Sequence, residues 1–160
     1  MSRERGNGSQ RWNPLTARVE HLFIKPARRM PMRAAAEVQA VAGKGLEGDA
    51  AFGRSRRQVL LVEGEVLDRF HLQPGQTREN VVVRGLRLAD LALGSRLAIG
   101  PVILEVTGDC TPCRQMDELQ PGLQEAIRGK RGILAWVVEG GRIRVGDLVC
   151  AAAGSPEADG

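Results

Sequence analysis

Twenty glycines are spread through 160 residues, and they cut the apolar part of the chain into short segments. Few of those segments carry the three-to-four-residue periodicity of a helix. Val38, Ala40 and Ala42 alternate with polar partners, as in a half-buried strand. Arg57–Val62 is nearly continuously apolar, as in a strand covered on both faces. Further β-like segments are Ala17–Lys25, Asn80–Val83, Arg96–Ile99, Val102–Thr107, Ile133–Val138 and Arg142–Val149. The glycines of Glu139-Gly140-Gly141 suit a tight hairpin between the last two. Helical spacing is limited to Glu63–His71, with Val66, Leu67 and Phe70 on one face, and to a turn at Gln124–Arg128. About eight short strands with few helices predict a mainly β fold, and closure into a barrel would remove the exposed edges of so many short strands.

Other classes are excluded by length and composition. The runs are far shorter than the roughly 18 apolar residues of a membrane-spanning helix. The polar segment Met1–Gln10 lacks the apolar core of a secretory signal, so a cytoplasmic location is expected. Three cysteines are too few for a disulfide scaffold. The expected organisation is a loose arm over residues 1–15, a single domain over 16–150 and a frayed tail over 151–160.

The net charge is +4, and lysine occurs only at Lys25, Lys44 and Lys130, so nearly all the cations are arginines. The guanidinium fork suits phosphates and carboxylates, although a GC-rich genome gives the same bias. With no tyrosine and five Phe and Trp together, there is no aromatic-interleaved basic patch for a nucleic acid polymer.

The densest polar motif is Gly108-Asp109-Cys110-Thr111-Pro112-Cys113-Arg114, directly after a predicted strand. Its CxxC spacing fits half a zinc site, but His21, His71 and Cys150 are isolated. It also fits a redox dithiol, but no parallel α/β alternation surrounds it. It fits a single thiolate, Cys113, acting as a soft metal ligand or sulfur carrier, with Arg114 helping to keep it ionised. Buried, inert thiols are the bland alternative. Gly43-Lys44-Gly45-Leu46-Glu47-Gly48-Asp49 would let backbone amides approach an anion, with Asp49 facing a ligand or capping its own turn. Arg78, Glu79 and Asn80 offer donors and acceptors for a polar heterocycle, or a solvated strand entry. Arg54, Arg56 and Arg57 would steer a phosphate or form a solvated face.

Taken in order, these pieces resemble the MOSC domain, found at the C-terminus of molybdenum-cofactor sulfurases and in small stand-alone bacterial proteins. The matching series runs through Gly45-Leu46-Glu47-Gly48-Asp49, Arg57-Gln58-Val59-Leu60-Leu61 and Glu79-Asn80-Val81-Val82-Val83. It continues through Leu104-Glu105-Val106-Thr107 and Pro112-Cys113 to Gly141-Arg142-Ile143-Arg144-Val145-Gly146-Asp147, within residues 36–149. The resemblance implies a MOSC-type β-barrel with a few short helices that binds the molybdenum cofactor, a molybdopterin, or handles sulfur. It implies Cys113 as both catalytic residue and metal ligand, with Lys44, Asp49, Arg57, Arg78, Asn80 and Arg114 at the cofactor. It further implies reduction of N-hydroxylated compounds and, at family level, an association with pyridoxal phosphate. The alternative is a sulfur carrier with a persulfide on Cys113, or a module delivering sulfur or cofactor to a partner. Many relatives place Arg-His after the Gly-Asp. This chain has Ala50 and Ala51, so any contact those side chains make is missing here. No flavin fingerprint or iron–sulfur cysteine set is visible, so the expected partners are a separate electron donor protein or a sulfur donor or acceptor.

Overall fold

The structure, a computed structural model, describes residues 17–54 and 56–151. The proposed arm at 1–15 and the tail beyond Ala151 lie outside the described residues, and Ala151 itself belongs to a strand. The strands are β1 (Arg18–Ile24), β2 (Arg33–Ala35), β3 (Glu37–Val41), β4 (Gly45–Leu46), β5 (Val59–Glu63) and β6 (Val81–Arg84). They continue as β7 (Arg96–Ile99), β8 (Val102–Asp109), β9 (Ile133–Glu139), β10 (Gly141–Arg144) and β11 (Val149–Ala151). Three short helices, α1 (Gly64–Arg69), α2 (Arg114–Leu119) and α3 (Leu123–Ala126), and a 3-10 turn at Leu88–Asp90 complete it. The fold is mainly β.

Eight strands form one sheet in the order β11-β7-β8-β9-β5-β6-β1-β2, and β10-β3-β4 form another. Every pairing is antiparallel except β5–β6, whose connection carries α1. One core of Val, Leu and Ile side chains includes Leu22, Leu46, Leu61, Leu97, Leu104 and Ile143, drawn from both sheets. A second cluster packs Val66, Leu67, Met116, Leu123 and Ile127 of the helical segments on Phe23, Val62 and Val82. Strands β5 and β6 therefore serve both clusters, which explains the unbroken apolar run at Val59–Val62.

The expected closed barrel is not formed. The turn before β11 and the first residue of β11 meet the start of β1 and the residue before it through Val19 N to Asp147 O (2.9 Å), Gly146 N to Val19 O (2.8 Å) and Val149 N to Ala17 O (2.9 Å). A register shift between Val19 and His21 follows, and the same edge of β1 then pairs with β2 at Leu22–Ile24. That irregularity re-aims the strand, so the ladder stops before it can close.

The hairpin expected at Glu139-Gly140-Gly141 is also replaced. Strand β9 pairs with β5 and β8, whereas β10 pairs with β3. The glycines carry the chain from one sheet to the other. A Cβ on Gly140 would stand 2.6 Å from the Ala40 carbonyl oxygen, so only glycine permits that approach. The segment read as one strand, Arg142–Val149, is broken into β10 and β11 by a turn in which Arg144 N donates to Asp147 Oδ2 at 2.8 Å.

Candidate functional site

Four strand ends meet around Asp49 and Asn80. Asp49 Oδ1 accepts from Lys25 N (2.8 Å) and from Asn80 Nδ2 (2.9 Å), while Oδ2 accepts from Ala51 N (3.0 Å). Asn80 Nδ2 also donates to Phe23 O (3.1 Å), and its Oδ1 accepts from Leu60 N (3.0 Å). The pair ties the end of β1 to the Gly-Asp turn, β5 and the start of β6. Gln58 does the same one layer away, donating to Gly43 O and Arg54 O and accepting from Val137 N. All three side chains are buried and fully partnered by protein.

The loop before β6 is held by Glu79, which is wholly buried and accepts from Thr77 Oγ1 (2.6 Å) and from Gly75 N. Within it Arg78 adopts φ 62°, a left-handed conformation uncommon for a side-chain-bearing residue. Arg131, before β9, donates from Nη2 to Thr77 O at 2.7 Å. Both guanidinium groups keep buried nitrogens without a partner: Nη2 of Arg78, and Nε and Nη1 of Arg131. Burial, and after it the Arg78 charge, pushes the Lys25 ammonium below its ordinary value.

The thiol segment follows β8. Cys110 N donates to Gly132 O at 2.9 Å, anchoring the segment to the entry of β9. Cys113 stands at the N-cap of α2, is exposed, and meets the Gln115 side-chain oxygen at 3.9 Å. The sequence reading missed α2, whose only buried residue is Met116. Neither Cys110 nor Cys113 is in a disulfide. Among the described residues, no three His, Cys, Asp or Glu side chains gather as metal ligands would.

These pieces line one cleft of about 690 Å³. Of the residues expected at a site, it brings together Asp49, Arg57, Arg78, Asn80 and Cys113. Lys44 and Arg114 are not on its wall: Lys44 lies in the turn before β4, and Arg114 is exposed in the first turn of α2. Arg56 is drawn off onto the Trp136 ring, 5.6 Å from its centroid. The sequence reading did not single out Lys25, Arg28, Arg29, Gln115 or Arg131, all on the wall. Their signal is weak because they lie far apart in sequence, in segments whose ends only the sheet brings together. Seven cations (Lys25, Arg28, Arg29, Arg54, Arg57, Arg78 and Arg131) line the cleft against two carboxylates, Asp49 and Glu118. Such a surface attracts anions.

Residues 50–150 match the family model described as the MOSC domain. The chain belongs to the MOSC domain family. Among solved structures, YuaD from Bacillus subtilis superimposes with a TM-score of 0.72 at 22% identity, covering 83% of this chain and 93% of that one. YiiM from Geobacillus stearothermophilus gives 0.69 at 19% identity, covering 89% and 78%, respectively. YiiM from Escherichia coli gives 0.63 at 17% identity, covering 85% and 70%. No curated protein matches the sequence. These likenesses establish a shared fold. No helix among the described residues is long and apolar enough to cross a membrane.

Proposed function

We propose that this MOSC protein binds the molybdenum cofactor in the cationic cleft and reduces N-hydroxylated compounds. The observation that carries this reading is one juxtaposition. An exposed, unbridged thiol, Cys113, shares a cleft with two guanidinium groups that retain buried, unpartnered nitrogens. A molybdopterin presents a phosphate and a soft metal, and the donor set fits both: thiolate for molybdenum, guanidinium for phosphate. Cys113 would hold the metal, while Arg78, Arg131, Arg57 and Lys25 would face the phosphate. When bound, the cofactor supplies two-electron reduction of the N–O bond.

The chain's own contribution is positioning and electrostatics. Asp49 and Asn80 do not face the ligand with free groups. They hold the Lys25 backbone, the Ala50-Ala51 turn and the strand ends that form the wall. Burial is the main cause of the lowered Lys25 ammonium and stays in place, but an anion in the cleft would offset the second cause, the Arg78 charge. Reducing equivalents come from a separate protein.

The test is metal content. Protein from a host that makes the cofactor is expected to carry near-stoichiometric molybdenum and pterin, both lost in Cys113→Ala. Reduction of a hydroxylaminopurine by the loaded protein with a chemical reductant tests the reaction. Absence of molybdenum from the wild-type protein overturns the reading. A second reading follows from Cys110 lining the same cleft as Cys113: a sulfur carrier whose Cys113 persulfide is passed to an acceptor. It predicts a Cys113 thiol heavier by one sulfur atom and no turnover of hydroxylamines.

A further inference from the structure

The cleft carries more positive charge than one phosphate can match. Elsewhere on the molecule Arg84, Arg96, Arg128, Arg142 and Arg144 each meet a carboxylate within 3.5 Å, and none of these lines the cleft. The six arginines that do line it form no ion pair among the described residues. Of the two carboxylates on the wall, Asp49 already accepts from Lys25 N, Ala51 N and Asn80 Nδ2. A phosphate brings up to about two negative charges at neutral pH. Set against six arginines and two carboxylates, it leaves about two guanidinium groups without a counter-charge, before Lys25 is counted.

With Arg57, Arg78, Arg131 and Lys25 at the cofactor's phosphate, Arg28, Arg29 and Arg54 remain. Arg28 and Arg29 lie on the loop between β1 and β2, where Met30 N donates to Ala27 O at 3.2 Å. Arg54 follows the turn begun by Asp49, its N donating to Ala51 O at 3.0 Å. The two segments are joined at Lys25, whose N donates to Asp49 Oδ1 (2.8 Å) and whose O accepts from Ala50 N (2.8 Å). Ala50 and Ala51 add only methyl groups to the wall beside them. All three arginines are exposed, whereas Arg131 is buried and Arg78 half-buried, so the three stand nearer the solvent side of the same cleft.

We infer that Arg28, Arg29 and Arg54 form a second anion subsite, and that the substrate is an N-hydroxylated compound bearing a phosphate or a carboxylate. This substrate class rests on the reductase reading and narrows it. Guanidinium groups bind either anion through paired, charge-assisted hydrogen bonds. The anionic group docks on the three arginines while the N–O bond lies deeper in the cleft that Cys113 also lines. The subsite leaves the reaction unchanged: electrons from the separate donor, with protons, convert the hydroxylamine to an amine and water. Because the three arginines are exposed, salt screens the attraction.

Two substrate pairs provide the test, with molybdenum-loaded protein and dithionite as reductant. One pair is hydroxylaminopurine ribonucleoside and its 5′-monophosphate, the other benzamidoxime without and with a para carboxylate. In at least one pair the anionic member is expected to show a kcat/KM about tenfold higher, through KM, with the advantage shrinking at high salt. The pair that shows it tells phosphate from carboxylate. In Arg28→Gln combined with Arg29→Gln the advantage is expected to fall to within about twofold, whereas Arg96→Gln, outside the cleft, keeps it. Urea unfolding of the double variant, changed only at exposed positions, separates lost binding from lost folding. Equal kcat/KM within both pairs overturns the inference and leaves the reductase reading standing. So does an advantage that the double variant retains. If the wild-type protein carries no molybdenum, the reductase reading falls and takes the substrate class with it. Calorimetric titration with adenosine 5′-monophosphate, adenosine serving as control, then reads the subsite alone. Binding of the monophosphate weakened about tenfold in the double variant upholds it, and binding that is absent or unchanged overturns it.

Discussion

Asp49, Gln58 and Asn80 use every polar side-chain atom to bind the protein's own backbone or one another, whereas Cys113 in the same cleft is exposed and touches one weak partner at 3.9 Å. Both regions belong to the series of motifs that marks the family. The difference follows from burial. A polar group withdrawn from water among apolar strands must be satisfied inside the protein, so the first set holds the frame together. A thiol at the head of a short helix on the surface carries no such obligation and stays available for chemistry. Between these extremes stand Arg131, which is buried, and Arg78, which is half-buried, each with guanidinium nitrogens left without a partner; the proposed function places both at the ligand.

Substitution in the frame is expected to have the largest effect. Asn80→Ala takes the side-chain partner from Leu60 N and Phe23 O and removes one of the two donors to Asp49 Oδ1, for an expected loss of about 3–5 kcal/mol in urea unfolding. A loss below about 1 kcal/mol would break the distinction between frame and site. Gly132→Ala comes next. The residue has φ 132°, and a Cβ there would stand 2.5 Å from Leu61 O, so about 2–3 kcal/mol is expected by the same measurement. Cys113→Ala, by contrast, should shift stability by no more than about 0.5 kcal/mol while abolishing molybdenum content, measured on the same preparation.

The smallest expected effect concerns the slope of stability against pH. Burial raises the Glu63 carboxyl above its ordinary 4.5, partly offset by the amides of Ala89 and Leu88. The folded chain then holds that proton more tightly than the unfolded one. The stability it contributes is fully present below about 4.5 and is lost as pH rises through the folded value. Glu63→Gln should flatten that part of the curve, and an unchanged slope would place the titration elsewhere.

Much of the architecture was legible. The run at Val59–Val62, the alternation of Val38 and Ala40 and the spacing of Val66 and Leu67 each foretold the element that forms. The two-residue strand β4 and three-residue strand β2 were not legible, because so few residues carry no periodicity. The thiol motif and Asp49 were visible as motifs, but their different duties were not. An Asp after a glycine reads the same whether it holds a ligand or its own turn, and only the donors that surround it decide.

The order of short, glycine-separated strands, the excess of arginine and the series of family motifs belong to the sequence alone, since each is a local pattern or a composition. Three things were decided by tertiary structure: the open sheet where a barrel was expected, the sheet change at Gly140, and the gathering of Lys25, Arg78 and Arg131 around one cleft. The reason is common to all three. Strand partners and buried charges are set by contacts between residues far apart in the chain, and no local pattern encodes which distant backbone will satisfy a given donor.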